Sequence, residues 1–97
     1  ETAHRLLGLF ERDAMRVRGL GRSAANALRV FDILRARPLA SIGHLAQQAG
    51  ISFATAARHV EALEKLDIVR ELSGRSRERV FAYQDYINIM NEGAEPL

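Results

Sequence analysis

The side chains best suited to chemistry fall in two short clusters. Ser52, Thr55, Arg58 and His59 bring hydroxyl, guanidinium and imidazole groups to one stretch, and Arg75, Arg77 and Arg79 alternate through a second. Donors and cations of this kind suit contact with a polyanion. Lysines and arginines neutralise phosphates, and a guanidinium can read a base edge in the major groove. Bond-breaking chemistry lacks its usual parts. His4, His44 and His59 stand too far apart for the helical i, i+4 spacing of a metal site, and no Cys or paired carboxylate assists them. The absence of cysteine also excludes thiolate catalysis and Cys-based zinc sites. No Gly-rich phosphate loop or Ser/His/Asp set stands out. The expectation is therefore no catalytic residue, no metal and no cofactor in this chain.

The first cluster sits on an element that its neighbours define. Gly50 can take positive φ, which a tight turn between helices requires. Ser52 is placed to cap the following helix. Phe53, Ala56, Val60, Leu63 and Leu66 then recur at three- and four-residue steps as one apolar stripe. Thr55, Arg58, His59 and Ala62 occupy the other face. Upstream, Ser41–Gly50 reads as a short helix with Leu45, Ala46 and Ala49 turned inward, and Ile51 plugs the corner. The two helices make a helix-turn-helix, whose second helix in known cases enters the major groove. Residues 68–72 and 79–83 are β-prone runs joined by the polar turn 73–78, which contains Gly74. The predicted fold is thus mainly α with a small β-hairpin, a winged helix-turn-helix. Regular strand alternation would put Arg75, Arg77 and Arg79 on one side of the wing. Pairing of Arg77 with Glu78 or Glu71 is the competing account.

Residues 2–18 form an amphipathic pattern with Ala3, Leu6, Leu7, Phe10, Ala14 and Val17 on one side, and with Arg5, Glu11, Arg12, Asp13 and Arg16 largely elsewhere. This helix could pack on the winged helix or an upstream domain, or serve dimerisation. A second helix, capped by Ser23, runs to about Arg37 with Ala27, Val30, Phe31 and Leu34 as core, and Pro38 stops it. Asp85 can cap a last short helix offering Tyr86, Ile87, Ile89 and Met90. Residues 92–97 read as a frayed tail.

Ninety-seven residues fit one small domain. Hydrophobic content of 47% and charged content of 27% are ordinary for a globular protein able to form a core without disulfides. No apolar run approaches the ~20 residues of a membrane span, and no signal-peptide pattern appears, so the expected location is cytoplasmic. The net charge of +2 is unevenly spread. Residues 1–37 carry eight Arg and four acids (+4), residues 38–72 three basic groups and four acids (−1), and residues 73–97 three Arg and four acids (−1). The basic surplus lies on the N-terminal helices and not on the helix-turn-helix.

The stretch SFATAARHVEALEKLDIV resembles the winged-helix signature of the MarR and ArsR repressor families, with Ser52, Thr55, Arg58, His59 and Leu63 on matching positions. Asp67 stands where that signature usually has Gly, so a non-glycine residue is expected in the left-handed region. Ala57 stands where Ser is common, which removes one phosphate or base contact. Over the whole chain, LGRSAANALRVFDILRARPL, the helix-turn-helix, ELSGRSRERVFAYQDYINIM and the ending NEGAEPL resemble the C-terminal winged-helix domain of Fic-family proteins. That resemblance implies a connecting helix over 1–19 and a winged helix over 20–97. It also implies an upstream Fic domain that uses ATP to adenylylate proteins. The Fic motif, His-Pro-Phe followed by a Gly-Asn-Gly-Arg run, is absent here, so this chain itself is expected not to be an enzyme. The start at Glu1 fits a piece of a longer protein. Two readings follow. In one, the chain binds double-stranded DNA through Ser52, Phe53, Thr55, Arg58 and His59, with Arg75 and Arg77 of the wing on the backbone. In the other, it is an interaction or homodimerisation module that positions a Fic domain.

Overall fold

The structure, a computed structural model, describes residues 1–74 and 77–94. Among the described residues five helices and three short strands follow in the order α1 (Thr2–Arg18), a 3₁₀ turn (Gly21–Ser23), α2 (Ala24–Ala36), β1 (Leu39–Ser41), α3 (Ile42–Ala49), α4 (Phe53–Lys65), β2 (Arg70–Glu71), β3 (Val80–Ala82) and α5 (Gln84–Ala94). This is the expected winged helix-turn-helix.

The helix boundaries follow local chemistry. Ser41 caps α3 by accepting from the His44 N–H at 3.1 Å, and Ser52 caps α4 by accepting from the Thr55 N–H at 3.1 Å. Between the two helices Gly50 adopts φ 69°, and the Ile51 N–H returns to the Ala46 carbonyl. Ile51 is half-buried against the core. Past α4, Asp67 takes φ 59°, the left-handed position expected of it, while the Ile68 N–H bonds the Leu63 carbonyl. Ser23 behaves differently from expectation. Its side chain makes no capping bond, because the chain winds into α2 through the 3₁₀ turn. At the other end Arg37 is extended before Pro38.

The core holds the predicted positions of α2, α3 and α4: Ala27, Val30, Phe31, Leu34, Leu45, Ala46, Ala49, Ala56, Val60 and Leu63. In α1 the buried side is turned from the predicted one. Leu9, Asp13 and Val17 are buried, Leu6, Phe10 and Ala14 half-buried, and Ala3 and Leu7 exposed. The reason lies in its neighbours, since α1 packs against both α2 and α5. Phe10 meets Tyr83 and Tyr86 with ring centroids 6.0 and 5.1 Å apart.

The sheet has a strand that hydropathy did not reveal. β1 is three residues long, too short for alternation to show, yet it pairs antiparallel with β3, as does β2. The strand order is β1-β3-β2, with Ala82 opposite both Leu39 and Arg70. The two expected hairpin strands are shorter than the β-prone runs. α5 starts one residue before Asp85 and runs through residues 92–94, where fraying was expected; residues 95–97 lie outside the described residues. Among the described residues no helix is long and apolar enough to cross a membrane, and no group of His, Cys, Asp and Glu could hold a metal ion.

Candidate nucleic-acid interface

The first two turns of α4 form the open face of the helix-turn-helix. Ser52 and Arg58 are exposed and Thr55 is half-exposed. The Ser52 hydroxyl donates to Thr55 Oγ1 at 2.9 Å, so both hydroxyls are held at the helix N-terminus. Arg58 makes no ion pair with the described residues.

Phe53 departs from its expected place in the apolar stripe. It keeps the stripe's angle, but the first turn of α4 projects beyond the core, and Phe53 is 61% exposed. Its ring lines a cleft between α4 and the wing with Ile42, Ala57, Arg77, Glu78 and Arg79. A neighbouring part of the cleft adds Ser41, Gly43 and Val80. The first turn of α3, the first turn of α4 and the wing therefore meet at Phe53.

His59 is a second correction. It was expected on the open face beside Arg58, but it is only 7% exposed. Burial first, and the Arg58 charge second, lower its pKa. Its neutral form is therefore favoured, and the ring is largely buried.

The wing arginines divide. Arg77 is exposed and faces the cleft beside Phe53. Arg75 lies outside the described residues. Arg79 is engaged within the wing. Its Nε donates to Glu71 Oε1 at 3.0 Å, and its guanidinium lies 5.0 Å from the Phe81 ring centroid. Burial acts to raise the Glu71 pKa, but the bonds from Arg79 and Ser73 outweigh it and hold the carboxyl below its ordinary value. Ser73 Oγ donates to Glu71 and accepts from the Val80 N–H. Arg77 and Arg79 line the same cleft, but not through regular strand alternation, since Glu78 takes φ 52° and β3 begins only at Val80. The partner of Glu71 is Arg79, not Arg77.

The N-terminal basic surplus is largely spent inside the fold. Arg16 donates to the Leu66 carbonyl at the end of α4, and Arg29 donates to the Ala49 carbonyl at the end of α3, the ends where cations offset the helix dipole. Arg12 and Arg16 reach Asp13, Arg35 reaches Asp32, and Arg5 reaches Glu92. Arg18, Arg22 and Arg37 are the exceptions, and Arg37 is the one beside α3 that sequence reading passed over. Its Nη1 lies 3.3 Å from His44 Nε2 on the first turn of α3, and it makes no ion pair with the described residues. Its place just before Pro38, where the chain turns into β1 and α3, was the available signal. The acids of α4 sit farther along the helix. Glu61 and Glu64 line, with Lys65, an adjoining recess that shares Ile42, Ala57 and Arg79 with the cleft, and Glu61 is 3.5 Å from that lysine. The open face of α4 is thus neutral to cationic at its N-terminal half and acidic beyond it.

Residues 23–73 match the IclR helix-turn-helix domain. Among solved structures, the Zα domain of Carassius auratus PKZ, in complex with Z-DNA, is similar at a TM-score of 0.56 and 18% identity, over 62% of this chain and 94% of that one. A MarR family transcriptional regulator from Silicibacter pomeroyi is similar at a TM-score of 0.56 and 15% identity, over 94% of this chain and 67% of that one. Another MarR family regulator from Silicibacter pomeroyi gives 0.54 and 22%, over 93% and 67%. At these identities the likeness establishes a shared fold. No curated protein sequence matches the chain. None of these findings supports a Fic-type parent.

Proposed function

The chain belongs to the IclR helix-turn-helix family through residues 23–73, and from that premise we propose that it binds double-stranded DNA, with the N-terminal half of α4 in the major groove and the wing on the backbone. The observation that carries this reading is the exposure of Ser52, Thr55 and Arg58 on the first two turns of α4, beside a cleft where Phe53 faces Arg77 of the wing. Phosphate contacts set position and register, and base-edge contacts carry sequence information. Arg77 serves the first role, joined by Arg37, whose guanidinium lies beside His44 on the first turn of α3. Arg58 serves the second, since a guanidinium can bond a guanine at O6 and N7. The acids Glu61 and Glu64 confine the approach to the helix's first half. The Z-DNA complex of the PKZ Zα domain and the transcriptional regulators of the MarR family lend support by fold. A link to an upstream Fic domain rests only on the whole-chain resemblance.

Fluorescence anisotropy of mixed-sequence duplexes at low salt tests the reading. Binding within the non-specific range of roughly 10⁻⁴–10⁻⁶ M is expected. Arg77→Ala should weaken all duplexes alike and reduce the salt slope by about one unit. Arg58→Ala should change the preference among sequences. Absence of binding at those protein concentrations would overturn the proposal.

A second reading has one observation of its own. Leu7 and Met15 stand 55% and 70% exposed on α1, which favours an interaction or homodimerisation surface on that helix. Sedimentation of the wild type against Leu7→Ser with Met15→Ser tests it. Unchanged monomeric mass in both would remove it.

A further inference from the structure

The open face of α4 is poor in the side chains that usually read bases. From Ser52 to Arg58 it offers no Asn, Gln, Lys, Asp or Glu, and Arg58 is the only group able to make a bidentate bond to a base edge. The rest of that turn is Phe53, Ala54, Thr55 and Ala57. A lone exposed apolar residue needs no explanation, but Phe53 is not alone. It shares one concavity with Ile42 and Ala57, and Arg77, Glu78 and Arg79 line the far side. The concavity is bordered on the wing by Arg77 and Glu78 and lies about one helical turn from Arg58, so a phosphate-holding cation and a base-reading guanidinium flank its apolar centre. In the major groove the apolar feature of a base edge is the methyl group at C5 of a pyrimidine.

We propose that Phe53, backed by Ile42 and Ala57, is a receptor for the C5-methyl group of a pyrimidine in the major groove, and so a specificity-determining residue. This rests on the DNA-binding reading above. Thymine and 5-methylcytosine both carry the group. Phe53 covers the methyl and removes it from water, whereas Arg58 reads a neighbouring base through hydrogen bonds. Removing one buried methyl forfeits about 0.8 kcal/mol, close to a fourfold change in affinity.

The test begins with a duplex selected by the protein from a randomised pool. Each thymine in turn is then replaced by uracil, which deletes only the C5-methyl. About fourfold weaker binding is expected at one or two positions. Phe53→Ala should bind the thymine and uracil duplexes equally while keeping the wild-type salt slope, and Phe53→Leu should retain part of the difference. Because Phe53 is exposed, both variants should melt near the wild-type midpoint. At the same positions, cytosine against 5-methylcytosine separates the two sources. A matching gain on methylation means the receptor takes either base, and no gain assigns it to thymine. Equal binding of thymine and uracil duplexes at every position would overturn the inference and leave DNA binding standing. So would a thymine preference that persists in Phe53→Ala. Failure to bind any duplex would remove the DNA reading, and this inference with it.

Discussion

The Tyr83 hydroxyl donates to Asp13 Oδ2 at 2.7 Å, joining residues 70 positions apart, and both side chains are fully buried. Asp13 Oδ1 also accepts from Arg12 Nε at 3.0 Å and from Arg16 Nη1 at 3.2 Å. The other terminal nitrogen of Arg16 donates to the Leu66 carbonyl at the end of α4. One carboxylate therefore ties α1 both to the junction between β3 and α5 and to the end of the recognition helix. The N-terminal helix is an integral part of the folded unit.

This cluster gives the first prediction. Tyr83→Phe removes one hydrogen bond to a buried carboxylate and should cost about 1.5–3 kcal/mol. Burial first, and the Asp13 hydrogen bond second, push the Tyr83 phenol up from its ordinary value of 10.0. Above that pH the unfolded chain gives up this proton while the folded chain keeps it. Stability is then fully present below pH ~10 and falls as pH rises beyond it. Denaturant titrations across the alkaline range should show that decline in the wild type and a shallower one in Tyr83→Phe.

His59 predicts the opposite limb. Its pKa is lowered by burial and by Arg58, so the unfolded chain takes up a proton near pH ~6.5 that the folded chain resists. Stability should be fully present above that pH and decline as pH falls through it. The slope should flatten in His59→Gln, whatever that variant's midpoint. In binding assays His59 should contribute little acid-enhanced affinity, because its ring is largely buried.

The recognition helix supplies a third prediction. Leu63 is fully buried, and Leu63→Ala should cost about 2–5 kcal/mol through the cavity it leaves. Ser52→Ala deletes a cap seen at 3.1 Å and should cost about 0.5–2 kcal/mol. Thermal melting reads both. An unchanged midpoint in Leu63→Ala would contradict the helix phase.

The wing supplies the fourth. Arg79 is paired with Glu71 and covers Phe81, whereas Arg77 is open. A partly exposed ion pair contributes roughly 0–1 kcal/mol, so neither Arg79→Ala nor Arg77→Ala should shift the melting midpoint much. Their salt dependence should differ. Arg77→Ala should lower the slope of duplex binding by about one unit, and Arg79→Ala should leave the slope unchanged.

The residues divide by the range of the forces that place them. The cap at Ser52, the left-handed Gly50 and Asp67, the stop at Pro38 and the core positions of α2 to α4 were all legible in the sequence. Each is decided by sterics, hydrogen bonding or periodicity within a few residues, which neighbours along the chain already specify. Tertiary structure decided which way the remaining side chains face. Asp13 is polar by type, and only the arrival of Tyr83, Arg12 and Arg16 makes its burial tolerable. His59 and Phe53 exchange their expected environments because the body of α4 packs against α2 and α3 while its first turn overhangs the cleft. β1 exists only because β3 lies beside it. Two of the N-terminal arginines, Arg16 and Arg29, cap helix ends contributed by distant parts of the chain, and Arg5, Arg12 and Arg35 pair with acids, so only part of the basic surplus of residues 1–37 is free. Such placements depend on partners far away in sequence, and residue type and spacing carry no record of who those partners are.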